Sequence, residues 1–329
     1  DGAVLIDSAA PRERNFSVIS VIVVGKNEGV RLSACLESVN TALRSLHHEV
    51  LYVDSRSGDD SISRALSAGA RVFRLEETDT TPGLGRRVGA ALAKGEWLLF
   101  LDGDMRLCPG YMQKALLTAD SFSADGITGI RTDEFVKNGA IVAKKENVFG
   151  CEAVRTCPAF GGAILLSKRM LDAVGSWSAD TVSCEEAELH ARLLFYNAKI
   201  LEIPEPFIIH TDTVREERSP WRILFSRRRL GEGQALRCAM RMKKTSAYLS
   251  FERIKFLFWL LDVASVLSLL YLRLPGLLPA TFSQCLQLGF FASRRSLRSF
   301  ISQKLFFFAM PTGFFLFCRR SEGYEEVTG

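Results

Sequence analysis

The sequence predicts an α/β fold, with a mostly parallel sheet flanked by helices and followed by amphipathic and apolar helices. Three observations predict it. β-Branched and apolar runs alternate with helix-period segments over residues 17–104. Acidic residues recur where those runs end. And 13 of the 23 Phe fall in residues 251–329, which carry a net charge of +4 against +1 for residues 1–250. A near-neutral body of this size argues against a basic nucleic-acid-binding domain. A 47% hydrophobic composition argues against disorder.

The elements follow in order. SVISVIVV (17–24) is a β-branched run with the character of a buried strand, broken by Gly25-Lys26-Asn27-Glu28-Gly29. Val30, Leu32, Cys35, Leu36 and Val39 give the next segment a helical apolar face. EVLYV (49–53) is a second strand ending at Asp54, followed by a polar loop and a helix over 61–68. Residues 70–75 read as a third strand, 85–94 as a helix and WLLFL (97–101) as a fourth strand ending at Asp102-Gly103-Asp104. Residues 127–145 suggest irregular strands, and FGGAILL (160–166) a tight loop and a strand. A helix over 185–197 and strands 199–203 and 206–209 lead to His210. No element is assigned to 105–126.

Parallel sheets bind ligands beyond the carboxyl ends of their strands. Three such ends carry Asn27/Glu28, Asp54 and Asp102/Asp104. Two carboxylates separated by one small residue suit a hard divalent cation that keeps several waters and a diphosphate as further ligands. A solvated turn would also use Asp and Gly, but Asp54 at a neighbouring strand end favours a site. Gly83-Leu84-Gly85-Arg86-Arg87-Val88-Gly89 is no dinucleotide fingerprint, because its third glycine is one place late and it does not follow the first strand.

The stretches SVIVVGKNEGVRLSACLESV, EVLYVDSRSGDDS, GRRVGAALAKGEWLLFLDGDM, FGGAILLSKRMLDAVGSW and CEEAELHARLLFYNAKI, covering about residues 17–212, resemble family 2 glycosyltransferases of the GT-A fold. The resemblance implies a nucleotide-diphospho-sugar donor, a divalent metal (Mg²⁺ or Mn²⁺) and transfer of the sugar to an acceptor. It implies that Asp54, Asn27 and Glu28 lie near the nucleotide. Asp102 would face the ribose and sugar, and Arg86 the diphosphate. Asp102 and Asp104 would hold the metal, with His210 completing its shell. Gly161 and Gly162 would border the acceptor, and Glu186, beside Glu185, would be the base. A carboxylate in reach of an acceptor hydroxyl activates it, and single displacement would invert the anomeric centre. The family's Glu-Asp pair is Glu-Glu here, one methylene longer.

Residues 215–244 hold ten basic residues interleaved with apolar ones, the pattern of amphipathic helices at a membrane surface. Ile254–Leu272 is a 19-residue apolar segment, and Leu277–Ala292 and Leu305–Cys318 are shorter ones. The expected organisation is a leader at 1–16, the catalytic domain at 17–214, a basic interface region at 215–250, membrane-associated helices at 251–320 and a polar tail at 321–329. The N-terminus shows no signal-peptide pattern. These features suggest a membrane-associated transferase with a cytoplasmic catalytic domain. Its partners would be membrane lipid and a glycan or lipid-linked acceptor, and not nucleic acid. Two alternatives are a polyprenyl-phosphate glycosyltransferase, whose phosphate acceptor needs no strong base, and a catalytically silent scaffold of the same fold.

Overall fold

The computed structural model describes residues 18–213, 226–272, 277–293, 297–316 and 319–328. The leader expected at 1–16 and the basic residues at 215–225 lie outside the described residues.

Strand β1 (Ile19–Gly25) is buried at six of its seven positions. Both its faces are therefore covered, as its β-branched run requires. Helix α1 (Val30–Ala42), β2 (His48–Asp54), α2 (Ser61–Ser67) and β3 (Arg71–Leu75) follow as expected. Helix α3 (Pro82–Leu92) starts three residues before the expected 85. Thr81 caps it by accepting from the Leu84 N–H at 3.1 Å, and Pro82 occupies the first turn, where a missing N–H costs nothing. Strand β4 (Trp97–Asp102) completes the parallel centre.

The order then becomes mixed: β5 (Met105–Leu107), α4 (Tyr111–Phe122), β6 (Gly126–Lys137), β7 (Ala140–Phe149), β8 (Arg155–Thr156), β9 (Ile164–Ser167), α5 (Lys168–Val174), α6 (Glu185–Phe195) and β10 (Ile200–Thr213). The two strands expected at 199–203 and 206–209 are one strand, whose register against β6 shifts between Glu202 and Pro206. Pro204 and Pro206 lack the N–H that a regular ladder would use there.

All the strands form one sheet in the order β11-β3-β2-β1-β4-β9-β6-β10-β5, with β7 on β6 and β8 on β10. Strand β1 is parallel to β2 and β4, with Gly25 opposite Asp54 and Val24 opposite Asp102. That register sets the acidic strand ends side by side. One apolar layer forms under α1 and α4 and another under α3, α5 and α6. Helix α3 lies close on the sheet: a Cβ at Gly89 would stand 2.3 Å from Ile22 Cγ2.

After a 3₁₀ turn (Arg227–Leu230), helices α7 (Gly231–Arg241), α8 (Thr245–Phe251), α9 (Arg253–Leu272), α10 (Leu277–Ser293) and α11 (Leu297–Phe315) lead to strand β11 (Tyr324–Val327). Two segments make contacts beyond the expected organisation. Helix α7 is amphipathic, but its small face (Gly231, Gly233, Ala235, Cys238, Ala239) is buried against α6, α8 and α11, because these residues permit close helix approach. The expected polar tail contributes β11, antiparallel to β3, because the edge of β3 offers unpaired backbone groups.

Among the described residues one segment, Arg253–Tyr271, is long and apolar enough to cross a membrane. Helix α11 starts at Leu297, upstream of the apolar run expected at 305–318, and has Pro311 inside it. Large apolar side chains on these helices face outward, among them Leu260, Leu270, Phe282 and Phe308.

Candidate active site

The β1–α1 and β2–α2 loops are laced together. Asn27 takes a left-handed backbone (φ 57°), tolerable for Asn, which lets its N–H donate to Ser57 Oγ at 2.9 Å. Its side-chain oxygen accepts from the Gly58 N–H at 2.8 Å. Asp54 is fully buried and accepts from the Ser57 N–H at 2.8 Å and the Tyr52 hydroxyl at 3.1 Å. Asp54 and Asn27 thus hold the β1–α1 and β2–α2 loops together and stand outside the wall of the adjoining cavity.

That cavity, about 920 Å³, opens at the carboxyl ends of β1 and β4. It brings together Glu28, Asp102, Asp104, Gly161, Gly162, Glu186 and His210 from five separated parts of the chain. Gly103 is needed between the two aspartates, since a Cβ there would come within 2.9 Å of Glu28 Cγ. Gly162 lets its loop close on Asp102: a Cβ there would meet Asp102 Oδ2 at 2.5 Å.

Arg86 differs from expectation. It is 1% exposed and does not line the cavity. One guanidinium nitrogen donates to Asp102 Oδ1 at 2.6 Å and the other to Glu185 Oε1 at 2.9 Å, with Glu186 Oε1 at 3.9 Å. The guanidinium also lies 5.0 Å from the Trp177 ring centroid. Burial makes Arg86 an internal counterion that ties α6 to β4. Glu185 is likewise enclosed, held by Arg86, and Glu186 is the member of the pair that reaches the cavity.

Negative charge accumulates around the opening. Burial, then the Asp104 charge, pushes Glu28 up to about 7, even though Arg31 pairs with it at 2.8 Å. Burial raises Asp102, against the pull of Arg86. Burial and the neighbouring Glu186 raise Glu185. Asp104 Oδ2 lies 3.4 Å from His210 Nε2, and the other His210 nitrogen is 3.0 Å from Asp133 and 2.9 Å from Arg131. Burial disfavours the charged imidazole, but Asp104 outweighs it and raises the His210 pKa.

The residues fit a divalent cation. Asp104 Oδ1 is buried with no hydrogen-bond partner, in a rim of carboxylates. Among the described residues no group of three His, Cys, Asp or Glu side chains forms a ready cage. An ion such as Mg²⁺ needs only one or two carboxylates when a diphosphate supplies the rest. Arg31, Arg131, His190, Arg228, Phe251 and Glu252 also line the cavity, and sequence reading did not single them out as site residues. The helical spacing of Arg31 from Glu28, and of His190 from Glu186, was the available signal.

A mixed α/β sheet with a parallel centre and acidic strand ends around one cleft defines the α/β class that binds its ligand beyond the carboxyl ends of the central strands. Residues 20–177 match glycosyl transferase family 2. The chain carries a family 2 glycosyltransferase domain of the GT-A fold. It is 32% identical over 93 residues to glucosyl-3-phosphoglycerate synthase of Mycobacterium tuberculosis, covering 26% of this chain and 29% of that protein. An uncharacterized glycosyltransferase of Haemophilus influenzae is 36% identical over 100 residues, covering 30% of this chain and 33% of that protein. The matches thus span about a third of the length of these relatives. Among solved structures, GalNAc-T7 with UDP, GalNAc and Mn²⁺ matches with a TM-score of 0.53 at 15% identity, covering 68% of this chain and 48% of that one, a likeness of fold.

Proposed function

We propose that this chain transfers a sugar from a nucleotide-diphospho-sugar to an acceptor hydroxyl, with Glu186 as the base and inversion at the anomeric carbon. The observation that carries this reading is that Glu186 and the Asp102/Asp104 pair line one cavity. Glu28 lines its nucleotide side, and Asp54 and Asn27 lie behind it and brace the loops there. Asp102, Asp104 and His210 would hold Mg²⁺ or Mn²⁺, and a bound ion would supply charge to offset the leaving diphosphate. Glu186 is partly exposed and accepts the acceptor proton, while Arg86 and Glu185 fix the helix that presents it. Gly161 and Gly162 form the acceptor-side loop.

The catalytic domain spans residues 17–214, and the apolar helices hold it at the cytoplasmic face of a membrane. Outward apolar side chains on α9–α11 and the basic residues between 215 and 244 support this, since anionic leaflets attract such segments. A lipid-linked acceptor suits that location.

The test is donor-induced thermal stabilisation with UDP-, GDP- and dTDP-sugars, with and without Mn²⁺. One donor should raise the unfolding midpoint by several degrees only with metal, and Asp104→Ala should abolish the metal-dependent part and reduce turnover at least about 100-fold. Full metal-dependent turnover in Asp104→Ala would remove the metal assignment.

A further inference from the structure

Helix α6 brings a second group to the cleft one turn beyond Glu186. Residues 186 and 190 are four apart, so they share a helix face. His190 lines the cavity yet is only 1% exposed, and neither ring nitrogen has a hydrogen-bond partner. Its ring is flanked by Phe160, with centroids 5.0 Å apart and planes at 34°, and by Phe251, at 5.0 Å and 52°. These rings supply dispersion contacts and leave both nitrogens unsatisfied. Burial alone lowers its pKa to about 4, so at pH 7 the ring is neutral, with one N–H donor and one lone pair. A position that served only packing would be better filled by an apolar ring, because unsatisfied buried polar groups are costly.

Building on the transferase reading above, we propose that His190 is an acceptor-recognition residue that pairs with a hydroxyl of a polyol or sugar seated against Phe160 and Phe251. A hydroxyl both donates and accepts, which matches a neutral imidazole. A fully ionised phosphate could accept from the imidazole N–H but would leave the imidazole lone pair without a donor. Phe251 also belongs to the apolar cluster that includes Leu236, Trp259 and Met310. Those three side chains line an adjoining apolar groove, so the same wall passes from the polar cleft toward the apolar helices.

The experiment follows nucleoside-diphosphate release by the full chain from UDP-, GDP- and dTDP-glucose with Mn²⁺, as glycerol or glucose is titrated in. Wild type should show saturable acceleration by at least one of these polyols. In His190→Phe the acceptor KM should rise about tenfold, with an unchanged thermal shift on donor binding and an unfolding midpoint no lower than wild type. His190→Asn, which keeps a donor and an acceptor, should return the KM to within about threefold. His190→Leu replaces the Phe variant if that ring does not fit. A normal donor shift with an unchanged acceptor KM, or with no acceleration by either polyol in wild type, overturns this inference alone. Absence of both donor shift and nucleotide release overturns it together with the transferase reading.

Discussion

Two buried side chains of the cleft show how burial decides a residue's role. Arg86 carries a full charge at 1% exposure because Asp102 and Glu185 both accept from it. His190, without such a partner, stays neutral, and that has a pH consequence. Its folded pKa of about 4 lies below its ordinary 6.5, so between these values the unfolded chain binds the extra proton. Stability is therefore full above pH 6.5 and falls as pH drops toward 4. Between pH 7 and pH 5 this group accounts for a loss of roughly 2 kcal/mol. Urea unfolding at both pH values should show that loss in wild type and its removal in His190→Phe. Equal pH dependence in the two proteins would refute the assignment. The aspartates of the cleft were legible because Asp-Gly-Asp ends an apolar run. The roles of Arg86 and His190 were not, because each depends on partners more than 15 residues away or on their absence.

Elements with a clear period or cap were the legible ones, and the others depend on tertiary pairing. Helix α4 starts after a left-handed Gly110 with no side-chain cap, and β5 has only three residues, so residues 105–126 gave little local signal. Strand β11 reads as polar chain until β3 supplies its partner. The most demanding contact between elements is the crossing of α7 and α11. A Cβ at Gly233 would stand 1.9 Å from the Met310 carbonyl oxygen, and one at Gly313 would stand 2.0 Å from that of Leu230. Backbone atoms cannot yield as side chains can. Gly233→Val should therefore separate the helices and lower stability by about 3 kcal/mol or more, seen as a reduced thermal midpoint. Gly233→Ala should show part of that loss. A wild-type midpoint in Gly233→Val would mean that α11 is not seated there.

Over the whole molecule, the apolar helices are fastened to the sheet domain at both ends. At the near end Glu232 accepts from Tyr248 at 3.0 Å and from Lys255 at 2.7 Å, joining α7, α8 and α9 just where Phe251 and Glu252 line the cleft. At the far end the chain returns over the body. Arg320 is almost fully buried, donates to the Asp79 carbonyl at 2.6 Å and pairs with its carboxylate at 2.8 Å. Its own N–H donates to Asp180 at 2.9 Å, and Glu322 pairs with Arg87 at 2.8 Å. Strand β11 then covers the edge of β3. The concentration of Phe and positive charge after residue 250 thus belongs to a segment whose attachments fix its orientation relative to the cleft. Removing residues 319–329 would cut the far attachment, expose the edge of β3 and leave Asp180 without its backbone donor. The expected result is a loss of roughly 2–4 kcal/mol in unfolding free energy and a concentration-dependent shift to larger species on size exclusion, since open strand edges pair with one another. Arg320→Ala alone should show the stability loss without the association, because β11 would still cover the edge. If the truncated chain keeps both its midpoint and its elution volume, the return of the tail onto β3 contributes nothing to holding the helices in place.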